Sequence, residues 1–160
     1  MNETMKKYQN ITSSLIESHR TISVMESCTA GLIASLLTDV EGASEVFLGG
    51  IVSYSNAAKE SFGVSDTVIR ERGVYSPETA LAMADTARDH FKTEIAVGVT
   101  GTFGNADPNN ADSVPGEVHF AVVTETERRS VKIAVPLSLK RHEAKMFAAD
   151  KIADELMGVL

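Results

Sequence analysis

Two short segments of this chain carry side chains that can act on a substrate. The first, Glu26-Ser27-Cys28-Thr29, stands where a β-branched run ends and a helix-like run begins. Free backbone N–H groups and the positive end of a helix dipole converge at such a junction, which can seat an anion or an oxyanion, with the Ser27 and Thr29 hydroxyls as further donors. The same residues also make an ordinary helix cap. Cys28 is the only cysteine. Its thiol is a nucleophile if the helix end lowers its pKa, and small apolar filler if it is buried. The second segment is Tyr54-Ser55-Asn56-Ala57-Ala58-Lys59. Tyr54 ends a strand-like run, and Lys59 lies in the first turns of a helix, where the dipole lowers its pKa toward that of a base. The competing reading of Lys59 is a solvated surface lysine. Thr100-Gly101 ends a strong strand and opens the longest loop, and ligands of α/β sheets gather at such carboxyl ends. His19, His90, His119 and His142 are scattered without metal-ligand spacing, and there is no GxGxxG, P-loop or GxSxG segment.

The elements that must position these groups follow from hydrophobic periodicity. Met5, Tyr8, Ile11, Leu15 and Ile16 predict an amphipathic helix over 3–18, and Thr21-Ile22-Ser23-Val24-Met25 a strand. A helix follows over 31–38. Val46 to Tyr54 reads as a strand whose paired Gly49-Gly50 signals a bend or a close backbone approach. Asn56 caps a helix that carries Lys59, and Ser65 starts a short helix that Gly73 closes. Ser76-Pro77-Glu78 is a helix start, with the helix running to about Lys92. Glu94 to Thr100 is a buried strand, and a Gly/Asn/Asp/Pro-rich loop runs from Gly101 to Gly116. Glu117–Thr124 and Ser130–Val135 form an antiparallel hairpin, and 139–158 a last amphipathic helix. Alternating strands and helices predict a largely parallel sheet covered on both faces, which the terminal hairpin makes mixed.

The 160 residues suit one domain, 1–160, with enough chain to bury a core. Fifteen Lys+Arg against 22 Asp+Glu give a formal charge of −7. That surface repels nucleic acid and anionic membrane, so a phosphate-bearing ligand needs a local site. One cysteine excludes an intrachain disulfide and a multi-cysteine metal centre. The opening residues lack the apolar core of a secretory signal, and no apolar run approaches the ~20 residues of a membrane span. A cytoplasmic protein is expected.

Taken together, Glu26-Ser27-Cys28-Thr29-Ala30-Gly31, Gly42-Ala43-Ser44 and Phe47 through Lys59, with Gly73, Ser76 and Thr100-Gly101 in order behind them, resemble the CinA C-terminal domain family. Stand-alone members of that family are nicotinamide-nucleotide amidases. The resemblance implies a three-layer α/β/α sandwich that self-associates as a dimer or higher oligomer. It also implies hydrolysis of the carboxamide of nicotinamide mononucleotide to the acid and ammonia, without metal or cofactor. Its catalytic serine, tyrosine and lysine fall on Ser44, Tyr54 and Lys59. Substrate contacts fall on Glu26, Ser27, Cys28, Thr29, Thr100, Gly101 and Arg141, the last as phosphate holder.

Two stretches depart from the family pattern. The usual Gly-Ile-Ala-Gly-Pro-Asp-Gly-Gly reads Gly101-Thr102-Phe103-Gly104-Asn105-Ala106-Asp107-Pro108, and the following Lys-Pro-Val-Gly-Thr-Val reads Ser113-Val114-Pro115-Gly116-Glu117-Val118. Leu139-Lys140 also replaces the usual Gly-Asp before Arg141. The contrasting function is therefore a non-enzymatic homologue that binds a nucleotide or acts as an interaction protein. Ten residues of extended chain between Ser44 and Tyr54 span roughly 33 Å. The two share a site only if the chain bends sharply at Gly49-Gly50 or subunits assemble it, and Ser27 is the alternative nucleophile.

Overall fold

The computed structural model describes residues 2–160. Helix α1 (Glu3–Ser18) leads into β1 (Ile22–Glu26), then α2 (Leu32–Leu37), a 3-10 turn (Ala43–Glu45) and β2 (Phe47–Val52). Helices α3 (Asn56–Phe62), α4 (Asp66–Arg72) and α5 (Pro77–Phe91) follow. Strands β3 (Ile95–Gly101), β4 (Glu117–Val123) and β5 (Arg128–Ala134) precede the last helix, α6 (Arg141–Met157). The five strands form one sheet in the order β2-β1-β3-β4-β5. β1 pairs in parallel with β2 and β3, and β4 and β5 complete the sheet antiparallel, so the expected mixed α/β architecture is present.

Strand alternation divides the core. Val97, Val99, Val118 and Phe120 point to the face covered by α1, α2 and α6. Ala96, Ala121 and Val123 point to the face covered by α4 and α5. Small residues let α5 approach closely: a Cβ on Gly98 would collide with the main chain of Ala80 and Ala84. Helix α5 starts as its sequence predicts, with the Ser76 hydroxyl accepting the Thr79 amide at 3.1 Å and Pro77 in the first turn. No helix among the described residues is long and apolar enough to cross a membrane.

Two local expectations are corrected. Gly49-Gly50 does not bend the chain: β2 runs alongside β1 from Ser23↔Gly49 to Glu26↔Val52, with the register shift one step earlier. Close approach explains the pair instead, because a Cβ on Gly49 would strike the Phe91 ring. Consequently Ser44 precedes β2 while Tyr54 follows it, and no turn reunites them. The second correction concerns α3. Its cap is Ser55, whose hydroxyl accepts the Ala58 amide at 3.1 Å, and Asn56 is the first helical residue.

Candidate active site

The site forms at the carboxyl ends of the three parallel strands. β1 ends in Glu26, and its side chain turns back to accept the amides of Gly31, Ile33 and Ala34 at 3.0, 3.2 and 2.9 Å. These are donors that the start of α2 would otherwise leave unpaired. The expected anion seat at this helix end is therefore occupied by the protein's own carboxylate, and Glu26, fully buried, is a structural cap rather than a substrate contact. The cap also fixes the Ser27–Gly31 turn, in which Ala30 adopts a left-handed φ of 51°. The Ser27 amide donates to the Val99 carbonyl of β3 at 3.0 Å, so the turn is tied to the sheet at both ends.

Lys59 comes to this turn from α3. It is 2% exposed. Its Nζ donates to Ser27 Oγ at 3.0 Å and to the Ser53 carbonyl at 2.8 Å. No carboxylate lies within ion-pair distance of it among the described residues. Burial lowers its pKa to about 8, and the negative charge of Asp107 resists that fall. Lys59 is thus not a solvated surface lysine. With that pKa about a tenth is a free amine at pH 7 and about half at pH 8, with a serine hydroxyl at hydrogen-bond distance.

Ser27 and Lys59 lie on the wall of a cavity of about 500 Å³, a size suited to a small-molecule ligand. Tyr54, Gly101, Phe103, Asp107 and Arg141 also line it. Arg141, the first residue of α6, donates through Nη2 to Tyr54 Oη at 2.9 Å, and its guanidinium stands 5.5 Å from the centre of the Phe103 ring. The 102–116 loop closes one side. Asp107 accepts the Tyr75 hydroxyl at 2.5 Å and the Asn110 amide at 2.6 Å, and Asn56 donates to Asn110 at 2.9 Å. These bonds hold Asp107 below the ordinary carboxylate range, with Tyr75 the leading cause, so it is ionised at neutral pH.

The sequence-derived residues divide accordingly. Ser27, Cys28, Tyr54, Lys59, Gly101 and Arg141 meet at the cavity. Ser44 does not: it is exposed, in the 3-10 turn before β2, and absent from the cavity wall. Thr100 is buried with its hydroxyl donated to the Val74 carbonyl at 2.8 Å, which locks the α4–α5 connection to β3. Thr29 is buried off the cavity wall, and its hydroxyl has no partner among the described residues. Cys28 is buried, which pushes its thiol up to about 12, so it is no thiolate nucleophile. Tyr54 is 58% exposed, and its hydroxyl accepts from Arg141 rather than meeting Lys59. Sequence reasoning did not single out Phe103, Tyr75, Asp107 or the Ser53 carbonyl. Asp107-Pro108-Asn109-Asn110 was the available signal, since such a run favours a side-chain-tied turn.

The model of the CinA C-terminal domain matches residues 4–159 of this chain. A CinA-like protein of Pseudothermotoga lettingae is 35% identical over 123 residues, covering 76% of this chain and 30% of that protein. A CinA-like protein of Geotalea daltonii is 41% identical over 110 residues, covering 68% of this chain and 26% of its own length. The chain thus spans less than a third of the length of these curated relatives. Among solved structures, the competence/damage inducible protein CihA from Agrobacterium tumefaciens superposes with a TM-score of 0.89 at 28% identity, covering 99% of this chain and 96% of that one. A CinA superfamily protein from Escherichia coli superposes with a TM-score of 0.87 at 20% identity, over 100% and 94% of the two chains, a likeness of fold alone. The chain belongs to the CinA C-terminal domain family.

Proposed function

We propose that this member of the CinA C-terminal domain family is an amidohydrolase that converts nicotinamide mononucleotide to nicotinate mononucleotide and ammonia, with Ser27 as nucleophile and Lys59 as base. The observation that carries the reading is the buried contact of 3.0 Å between Lys59 Nζ and Ser27 Oγ on the cavity wall. A serine hydroxyl attacks only when a neighbour takes its proton, and a lysine neutralised by burial can do so. In the first half-reaction Lys59 accepts the Ser27 proton as Oγ bonds to the carboxamide carbon. The resulting ammonium then returns a proton to the departing nitrogen as the C–N bond breaks, releasing ammonia and leaving an ester on Ser27. In the second half-reaction Lys59 takes a proton from water. The hydroxide equivalent attacks the ester, and Ser27 regains its proton. We assign the oxyanion of each tetrahedral intermediate to the main-chain N–H of Cys28, the residue that follows the nucleophile, by the general geometry of such turns.

Arg141 and Tyr54 support the other end of the ligand. A guanidinium free of carboxylate partners binds a phosphate well, and it offsets locally the repulsion from a −7 surface. We assign Tyr54 to holding Arg141 rather than to relaying protons. Self-association as a dimer or higher oligomer is part of the same reading, although its basis narrows. Of the large apolar residues of β2, Ile51 is in the core and Phe47 is half-buried against it, which leaves Leu48 and Val52 exposed. Light scattering checks it, and a 17.1 kDa monomer at micromolar concentration would contradict it. The function is tested by ammonia release from nicotinamide mononucleotide, with nicotinamide riboside in parallel. Turnover of the nucleotide with a much weaker reaction of the riboside supports the reading. Binding without ammonia release from either compound would favour the non-enzymatic nucleotide-binding homologue.

A further inference from the structure

Among the described residues, Arg141 stands apart by its contacts with two aromatic side chains, not by lacking a carboxylate, since exposed Lys6, Arg72 and Lys92 lack one too. It opens a 17-residue helix, where the helix dipole opposes a cation. Its two aromatic neighbours are the Tyr54 hydroxyl at 2.9 Å and the Phe103 ring at 5.5 Å.

Phe103 is the rigid one of the two. It is 3% exposed and packs in the same core cluster as Val99, Val118 and Val135, whereas Tyr54 is exposed. We infer that Phe103 is the positioning residue for Arg141, its ring face holding the guanidinium at the cavity wall so that an incoming phosphate meets a pre-oriented, uncompensated cation. A carboxylate in that place would hold the guanidinium equally well but would compete with the phosphate for the same N–H groups. A ring face attracts the cation through its quadrupole and leaves the in-plane donors free. The inference rests on reading Arg141 as the phosphate holder and not on which bond the enzyme breaks. It also gives a role to a departure from the family pattern, which has Ala where this chain has Phe103.

The test is an NMR titration with inorganic phosphate, following backbone amide resonances of the cavity wall such as Ser55 and Asn56 in the full chain. A cation–ring contact of this kind corresponds to an affinity loss of about two- to fivefold when the ring is removed. Phe103→Leu should therefore weaken phosphate about two- to fivefold, Phe103→Tyr should restore it, and Phe103→Leu in an Arg141→Ala background should change nothing further. With nicotinamide mononucleotide, Phe103→Leu should raise KM by a similar factor at unchanged kcat. Wild-type phosphate affinity in Phe103→Leu, equal loss in Phe103→Tyr, or an effect that persists without Arg141 would each overturn the inference. If Phe103→Leu fails to fold, Arg141→Lys decides, since it keeps the charge of an exposed residue but loses the planar face on the ring. It should weaken phosphate, and unaltered affinity there would overturn the inference. Coupling between Phe103 and Arg141 without ammonia release would leave this inference standing and remove the amidase, and the converse result would do the reverse.

Discussion

Ser27 and Ser44 are the same side chain at opposite ends of two parallel strands. Ser27 follows β1 at the carboxyl end of the sheet, and Ser44 precedes β2 at the amino end. Strands of five or six residues put roughly 17–20 Å between such ends. Around Ser27, Glu26 caps the turn, Val99 holds its amide, and a desolvated lysine reaches its hydroxyl. Ser44 is exposed in a short 3-10 turn and lies off the cavity wall. On the proposed mechanism, the contrast teaches that a nucleophile is made by its neighbours' burial and protonation state rather than by residue type.

The largest expected effect breaks the contrast directly. Ser27→Ala should lower kcat by at least roughly 10³-fold, as removal of a nucleophile does, while Ser44→Ala stays within about twofold of wild type. Ammonia release under saturating nicotinamide mononucleotide checks both.

Lys59 comes next. Lys59→Ala should cost about 10²–10⁴-fold, and Lys59→Arg should not recover it because a guanidinium stays protonated. In the wild type the rate should rise with pH through about 8 and level above it, since the neutral amine is the working form. Stability sharpens the point. A folded pKa of about 8 against the ordinary lysine value of 10.5 means that the unfolded chain binds the extra proton between those values. Stability from this group therefore rises with pH across that window, and below it the buried ammonium costs roughly 3 kcal/mol. Lys59→Met should melt higher at pH 7 while losing activity, a pairing expected of a residue kept for chemistry.

Glu26→Ala leaves three amides of the α2 start without their acceptor and should lower stability by about 2–3 kcal/mol in urea unfolding. The smallest effect belongs to Asp107. Its charge favours the protonated form of Lys59, so Asp107→Asn should move the ascending limb of the pH–rate profile to slightly lower pH.

The fold was largely legible because its signals are local. The β-branched run over Ile22–Val24, the Ser76-Pro77 start and the apolar stripe of α6 each act within a few residues. The region of the site was legible too, since Glu26–Thr29 and Tyr54–Lys59 both fall at the carboxyl ends of strands. The pairing within it was not. Which serine meets Lys59 depends on the parallel register of β1 and β2 and on glycines that accommodate the distant Phe91 rather than bend the strand. Arg141 and Tyr54 are 87 positions apart, and their contact has no local signature. Glu26 misleads for a related reason: a carboxylate in a polar turn reads as a ligand contact until its acceptors are seen to be filled by Gly31, Ile33 and Ala34.

The central claim, that burial beside Lys59 makes Ser27 the nucleophile, is tested most directly without any assumption about substrate. The protein is treated with a small serine-reactive fluorophosphonate across pH 6 to 10, and the modified peptide is located by mass spectrometry. The account predicts a single adduct on Ser27, forming faster as pH rises through about 8 and abolished in Lys59→Ala. An adduct on Ser44, or labelling of Ser27 that is indifferent to pH and to Lys59, would contradict it.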